Sequence, residues 1–210
     1  MALQVNNWRE QVLLKEREIE IVELLLRDLK DEESQQGWFL RRLDRQESRI
    51  TKFILAIEGG ETNPDTLASL ADAANEVYNY RPSFPTFDGL KQSGDLSLIQ
   101  DNSIRDLVIR YHDFDIPYLD DLRETYRRLS TLRGEHLRPY FGYSTNGEGG
   151  WITRASSDLS ALKQDFEVLH ILGANGRHRS WLKERLEEIF IPSNQHLQKK
   201  LEEYLAVLTK

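Results

Sequence analysis

Cysteine is absent from all 210 residues. Its absence excludes disulfide staples, thiolate zinc sites and a cysteine nucleophile, and it leaves the compartment open. Proline (6) and glycine (12) are sparse for this length, and runs of alternating β-branched residues are almost missing, which disfavours a β-rich fold. Apolar runs are short. "IVELLL" (residues 21–26) falls far below the roughly 18 residues that cross a bilayer. The first residues lack the charged-then-apolar order of a secretory leader. A basic excess is missing as well: the net charge is -7 and the pI about 5.3. Phosphate backbones need a cationic footprint, so nucleic acid is excluded as a partner. Arginines do cluster at Arg41, Arg42, Arg45 and Arg49, and again at Arg177 and Arg179, but acidic residues interleave with the basic ones, as on a solvated helix face.

What the chain has is helical periodicity. From Val5 to Ile57 a seam runs at alternating spacings of three and four: Val5, Trp8, Val12, Lys15, Ile19, Val22, Leu26, Leu29, Glu33, Gln36, Leu40, Leu43, Glu47, Ile50, Ile54 and Ile57. Such a seam predicts one long helix that packs in a bundle or coiled coil. Its polar positions Glu33 and Gln36, with Gly37 behind them, predict a bend or a change of packing partner facing water. Gly59 and Gly60 end the helix, and Asn63 caps the next one with Pro64 at its first position. That second helix is expected over residues 64–80, and a short one over 86–92, stopped by Ser93-Gly94. Another long helix starts near Asn102 or Ser103, kinked at Pro117, with Ile104, Leu107, Tyr111, Tyr118, Leu122, Tyr126, Leu129 and Leu132 as its stripe. "GYSTNGEGGW" reads as a flexible loop. The last third is helical from Ser156 or Ser157, with Leu159, Leu162, Phe166 and Leu169 on its apolar side, then Trp181 onward, bent at Pro192. The fold expected is all-α: one domain over residues 1–210, an elongated antiparallel helical bundle with long, kinked helices.

Catalytic signatures are missing. There is no HExxH, no doubled ExxH pair for a di-iron bundle and no GxSxG elbow. His112, Asp113 and Asp115 in "YHDFD" lie close together, but neighbours one apart on a helix point in different directions, and His136, His170, His178 and His196 are scattered. "GANG" (residues 173–176) lacks the Lys-Ser/Thr ending and the preceding strand of a phosphate loop, and reads as a helix segment. No catalytic, cofactor-binding or metal-ligating residue is assigned, and the protein is expected to be non-enzymatic. Tyr140, Phe141, Tyr143 and Trp151 flank the glycine-rich stretch and form a candidate interaction surface; such rings also serve to close the end of a core.

Two stretches resemble a known family. "ALQVNNWREQ" is similar to the segment that follows a single membrane-spanning helix in the uncharacterised bacterial family called domain of unknown function 6090. "TFDGLKQSGDLSLIQDNSIRDLVIRYHDF" (residues 86–114) resembles that family's middle section, a Leu-x-x-Ser-Gly-x-Leu-x-x-Ile core with an Arg one helix turn on; here these are Leu90, Ser93, Gly94, Leu96, Ile99 and Arg105. Arg9 stands where the family often has Asn, and the loop at residues 142–150 has no counterpart in it. The resemblance implies a cytoplasmic start, one transmembrane helix ahead of Ala2, and a periplasmic helical domain at the inner membrane. It makes Asn6, Asn7 and Trp8 membrane-proximal, where polar amides and an amphipathic ring meet headgroups. The function expected is a membrane-anchored helical domain that binds a ligand or partner, senses or scaffolds in the bacterial envelope, possible partners being another protein or a second copy of the chain. The alternative is a cytoplasmic coiled-coil-like interaction protein.

Overall fold

The first helix, α1, runs unbroken from Ala2 to Glu58. It contains no proline and a single glycine, Gly37, so nothing in it removes a backbone donor. The structure, a computed structural model, describes residues 2–78, 80–145, 151–156, 159 and 161–210, with the backbone alone at 2–7, 144, 145, 151 and 152.

Burial along α1 follows one register. Glu18, Val22, Leu25, Leu29, Glu32, Gln36, Phe39, Leu43, Gln46, Ile50, Phe53 and Ile57 are all buried, alternating four and three residues apart. This is a heptad seam, displaced by one residue at alternate positions from the seam expected from apolarity. Leu26 and Leu43 are buried as expected. Gln36 corrects the expectation of a water-facing position: it is fully buried, and its Nε2 donates to Glu32 Oε1 at 3.2 Å and to the Tyr111 hydroxyl at 3.4 Å.

Two glycine-assisted turns and two side-chain caps set the first boundaries. Gly60, at φ 76°, turns the chain out of α1, and Glu61 N–H closes on Ala56 O at 2.9 Å. Asn63 Oδ1 then accepts from the Asp65 and Thr66 amides at 2.9 and 3.2 Å, starting α2 (Pro64–Asn75). Helix α2 ends at Asn75, earlier than the sequence suggests. α3 (Pro85–Ser93) stops at Gly94 in the left-handed region, and Asp101 caps α4 (Asn102–Arg110). This corner carries the quoted family-like residues, and each has a structural job. Leu90 and Ile99 are buried, and Arg105 Nη1 donates to Ile99 O at 3.2 Å.

Helix α4 continues through a π-helical turn, Tyr111–Asp115, into α5 (Ile116–Leu137), and α6 (Phe166–Arg185) continues through a second one, Leu186–Phe190, into α7 (Ile191–Leu208). Pro117 and Pro192 each follow a π turn by two residues. A proline ring collides with the carbonyl four residues back in a regular helix, and a widened turn relieves that collision. Between α5 and α6 lies a feature not expected from sequence: strands β1 (Phe141–Thr145) and β2 (Trp151–Ala155) pair antiparallel, Phe141 opposite Ala155 and Tyr143 opposite Thr153. The all-α class stands, with this hairpin as an appendage. Of the expected helix start at Ser156 or Ser157, residue 157 lies outside the described residues. Asp165 starts α6 instead, its Oδ1 accepting from the Glu167 and Val168 amides. Phe166, expected to face the core, is 81% exposed.

The chain divides into two compact units: residues 1–37, 80–120 and 186–210, and residues 38–79 and 121–185. Packing partners along α1 therefore change between Gly37 and Trp38, at the polar interruption. The first unit holds a core of Val22, Leu25 and Leu29 from α1 with Phe84, Phe87, Ile99, Val108, Tyr111, Leu197 and Leu201. Buried α1 carboxylates stitch its loops down: Glu18 Oε1 accepts from Gln100 N–H at 2.6 Å, and Asp28 Oδ2 from Thr86 N–H at 2.9 Å. The second unit holds Ile50, Phe53 and Ile57 with Leu67, Ala71 and Ala74 of α2, Phe141 and Leu172. The alanines of α2 let it lie close against its neighbours.

Candidate functional site

Three helices of the second unit each place polar residues where their buried register calls for a core side chain. On α1 this is Gln46, between Leu43 and Ile50. On α5, Tyr126, Ser130, Arg133 and Leu137 follow at spacings of four, three and four. On α6, Leu172, Asn175, Arg179 and Leu182 do the same at three, four and three. Arg133 and Arg179 are buried to 0% and 1% exposure, and Gln46, Ser130 and Asn175 are buried with them. Arg179 thus corrects the reading of its arginine pair as a solvated face.

Hydrogen bonds fix which ends of these groups remain open. Arg133 Nε donates to Asn75 Oδ1 at 3.1 Å and Arg133 Nη1 to Asn175 Oδ1 at 2.9 Å. The Tyr126 hydroxyl donates to Gln46 Oε1 at 2.8 Å, and the Arg179 guanidinium lies 5.3 Å from the centre of the Tyr126 ring. The acceptor end of each amide is therefore engaged. Gln46 Nε2, Ser130 Oγ, Arg133 Nη2, Asn175 Nδ2 and all three Arg179 nitrogens have no hydrogen-bond partner among the described residues. Neither guanidinium has a carboxylate partner there. Burial pulls the Arg133 pKa down to about 9, with repulsion from Arg179 adding to it, and pulls that of Arg179 down to about 10, partly offset by Tyr126, Tyr78 and Glu47. Both remain cations at neutral pH. An uncompensated buried charge is costly, so two in one core demand a reason.

Asn75 and Ser130 also line a cavity of about 590 Å³, together with Leu137, Phe141, Tyr143 and Thr153 on its apolar and hairpin sides, Glu135 on α5 and Arg138 just beyond its end. Thr153 is held by α2, its Oγ1 donating to Asp72 Oδ1 at 2.8 Å. The structure brings three of the four expected aromatic positions around this hairpin. Tyr140 is half-buried and donates to Asp165 Oδ2 at 2.7 Å, Phe141 is buried edge-on to Phe53 with centroids 5.8 Å apart, and Tyr143 is 67% exposed. Asp165 pushes the Tyr140 hydroxyl up to about 12. The Trp151 side chain lies outside the described residues. So do those of Asn6 and Asn7, while Trp8 is 64% exposed on α1.

Histidines contribute little chemistry. His112 is buried, stacked on Phe87 at 4.1 Å, with Nδ1 2.7 Å from Val108 O. His178 Nε2 lies 2.9 Å from Leu122 O. Among the described residues no group of three or more His, Asp or Glu side chains is placed to hold a metal ion, and no helix is long and apolar enough to cross a membrane. A second cavity, in the first unit, measures about 420 Å³ and is lined by Arg110, Tyr111, Asp115, Glu188, Ser193 and His196 among others.

Sequence reasoning missed the buried polar set because each member was judged by residue type. Its signal was positional but out of phase with apolarity: Gln46, Ser130 and Arg133 sit one residue from the expected Glu47, Leu129 and Leu132, and all five residues fall on the buried register. Compared with protein-family models, with curated proteins and with solved structures, the chain matches none.

Proposed function

We propose that this protein is a non-enzymatic helical binding domain of the bacterial envelope, attached to the inner membrane at the α1 end and facing the periplasm. The observation that carries this reading is the change in α1 at Glu18. From there onward every seam position is buried, whereas Trp8 (64% exposed), Val12, Leu13 (60% exposed) and Leu14 lie open on the preceding turns. Apolar side chains left uncovered on a helix need a partner, and a tryptophan among them suits the headgroup level of a bilayer. The likeness of "ALQVNNWREQ" to a juxtamembrane segment points the same way. In this reading each unit packs its helices as an antiparallel bundle, and the π turns ahead of Pro117 and Pro192 mark kinks. Binding is the role that the cavity and the buried polar set support.

Fractionating cells that express the full-length gene tests attachment. The uncleaved protein is expected in the membrane fraction, resistant to carbonate and released by detergent; recovery wholly in the soluble fraction would remove the proposal. The same exposed residues favour a second reading, a cytoplasmic interaction protein whose α1 pairs with another helix. In that case the soluble protein would self-associate or bind a partner through residues 8–14, and Leu13→Asp would abolish the association.

A further inference from the structure

The open valences of the second unit's core are donors on every residue but Ser130, whose hydroxyl can also accept. Seven atoms on three helices (one on Gln46, one on Ser130, one on Arg133, one on Asn175 and three on Arg179) have no hydrogen-bond partner among the described residues, and two of the four side chains that bear more than a hydroxyl are cations. The local amide acceptors, Gln46 Oε1, Asn75 Oδ1 and Asn175 Oδ1, are already engaged, and the Tyr126 hydroxyl, which faces Arg179, already accepts from Tyr78 N–H at 3.4 Å. We propose that Arg133 and Arg179, with Gln46, Ser130 and Asn175, form an internal site for a small oxyanion, free or carried as the head group of an organic acid.

Charge and hydrogen-bond inventory select that guest. A water molecule brings donors of its own and leaves both cations uncompensated. A cation is repelled. A neutral amide carries donors into a site that already has too many. A carboxylate, sulfate or phosphate group brings only acceptors and a negative charge, and its several oxygens match planar guanidinium forks, which bind oxyanions in pairs of parallel bonds. Chloride satisfies the charge but offers one atom to donors that lie on three separate helices.

The surroundings support occupancy by more than a bare ion. Ser130 and Asn75 belong both to the polar cluster and to the wall of the 590 Å³ cavity, whose other walls include Leu137 and Phe141. A head group at that wall leaves space for an apolar body. The proposal deepens the binding role above but does not depend on membrane attachment, so a soluble protein that binds oxyanion would leave it intact.

The test uses the whole chain, exchanged into an oxyanion-free chloride buffer, and follows thermal unfolding at constant ionic strength with added phosphate, sulfate, acetate or a small aryl carboxylate. A saturable rise in the midpoint is expected with at least one of them, about 5–10 °C at a hundredfold excess over half-saturation. Saturation by inorganic phosphate or sulfate identifies a free oxyanion, and saturation by the aryl carboxylate alone identifies a head group. Arg179→Met is expected to abolish the rise while matching or exceeding the parent midpoint in chloride, because it removes a buried charge; Arg133→Met is expected to abolish the rise with a lower midpoint in chloride, because it also strips the donors from Asn75 Oδ1 and Asn175 Oδ1. Ser130→Ala, which keeps both arginines and serves if either methionine variant fails to fold, is expected to raise the half-saturating concentration about tenfold. The proposal is overturned if no oxyanion moves the parent midpoint. It is equally overturned if the variants respond as the parent does, which would signal general salt effects, or if Arg179→Met loses stability in chloride, which would signal a water-filled structural network.

Discussion

His112 should make this protein lose stability in mild acid, and the size of the loss follows from where the ring sits. The imidazole is packed between Phe87, stacked at 4.1 Å, and Phe84, edge-on at 4.6 Å. Its Nδ1 lies 2.7 Å from Val108 O, so the neutral ring carries its proton there, and Nε2 has no partner among the described residues. Burial lowers its pKa from 6.5 to about 4, even though the Val108 carbonyl and the carboxylates of Asp113, Asp88 and Asp28 favour the charged form. The folded pKa lies below the unfolded one, so acid protonates the unfolded chain first. The stabilisation is complete above pH 6.5 and is lost as the pH falls from 6.5 towards 4. By linkage the loss from this one group is about 2 kcal/mol at pH 5 and approaches about 3 kcal/mol near pH 4. Other groups titrate in the same range, so the measurement is a difference. His112→Phe keeps the ring among the aromatics but gives up the bond to Val108, which should cost about 1 kcal/mol at pH 7.5. Urea unfolding of both proteins at pH 7.5 and pH 5 should show the gap reversing, with the variant the more stable at pH 5. A gap that does not change with pH would show that His112 is not held neutral, and the reasoning from its burial would fail.

Two further outcomes test the helix seam and the corner. In urea, Leu26→Ala and Leu43→Ala should each cost about 2–5 kcal/mol, and Gln36→Ala about 1–3 kcal/mol because it strips hydrogen bonds from Glu32 and Tyr111, while Glu33→Ala should cost less than Gln36→Ala. A Gln36→Ala variant as stable as the parent would show that this position is not part of the seam. Gly94→Ala, at φ 80°, should cost about 1–2 kcal/mol through the left-handed backbone alone, since a Cβ there meets no atom within 4 Å. A thermal midpoint equal to the parent's would refute that strain.

Much of the local structure was legible because the sequence states it in residues whose backbone physics is narrow. Asn63 before Pro64, Gly94 after Ser93 and Asp101 before Asn102 each mark a boundary within a residue of where the structure places it. The hairpin was not legible. Glycines at 142, 147, 149 and 150 read as punctuation, and Phe141, Tyr143, Trp151 and Thr153 carried too short a β-pattern to outweigh them. The phase of α1 was also misread, for a reason that bears on function. Apolarity favours Ile19, Leu26, Leu40 and Ile54, whereas the buried register takes Glu18, Leu25, Phe39 and Phe53 instead. A seam with four polar residues among twelve positions cannot be phased by hydrophobicity alone.

Those polar seam positions have a common logic. In the first unit, Glu18 and Glu32 are acceptors, and neighbouring donors meet them: the Gln100 amide for Glu18, and the Tyr80 hydroxyl and Gln36 amide for Glu32. Burial and Glu32 push the Tyr80 hydroxyl pKa far above its usual range, so it stays a donor at every physiological pH. There the chain supplies both halves of each bond, which is what a structural network requires. In the second unit it supplies donors in excess and two cations, with the amide acceptors already engaged. The two clusters share a helix and a spacing rule; in the first the Gln36 carbonyl oxygen is left open among the described residues, whereas the second leaves donors open on two cations. A core that serves packing alone gains nothing from that imbalance, since Met at Arg179 would fill similar volume without the charge. The imbalance is what a binding site for an anion must have before its ligand arrives.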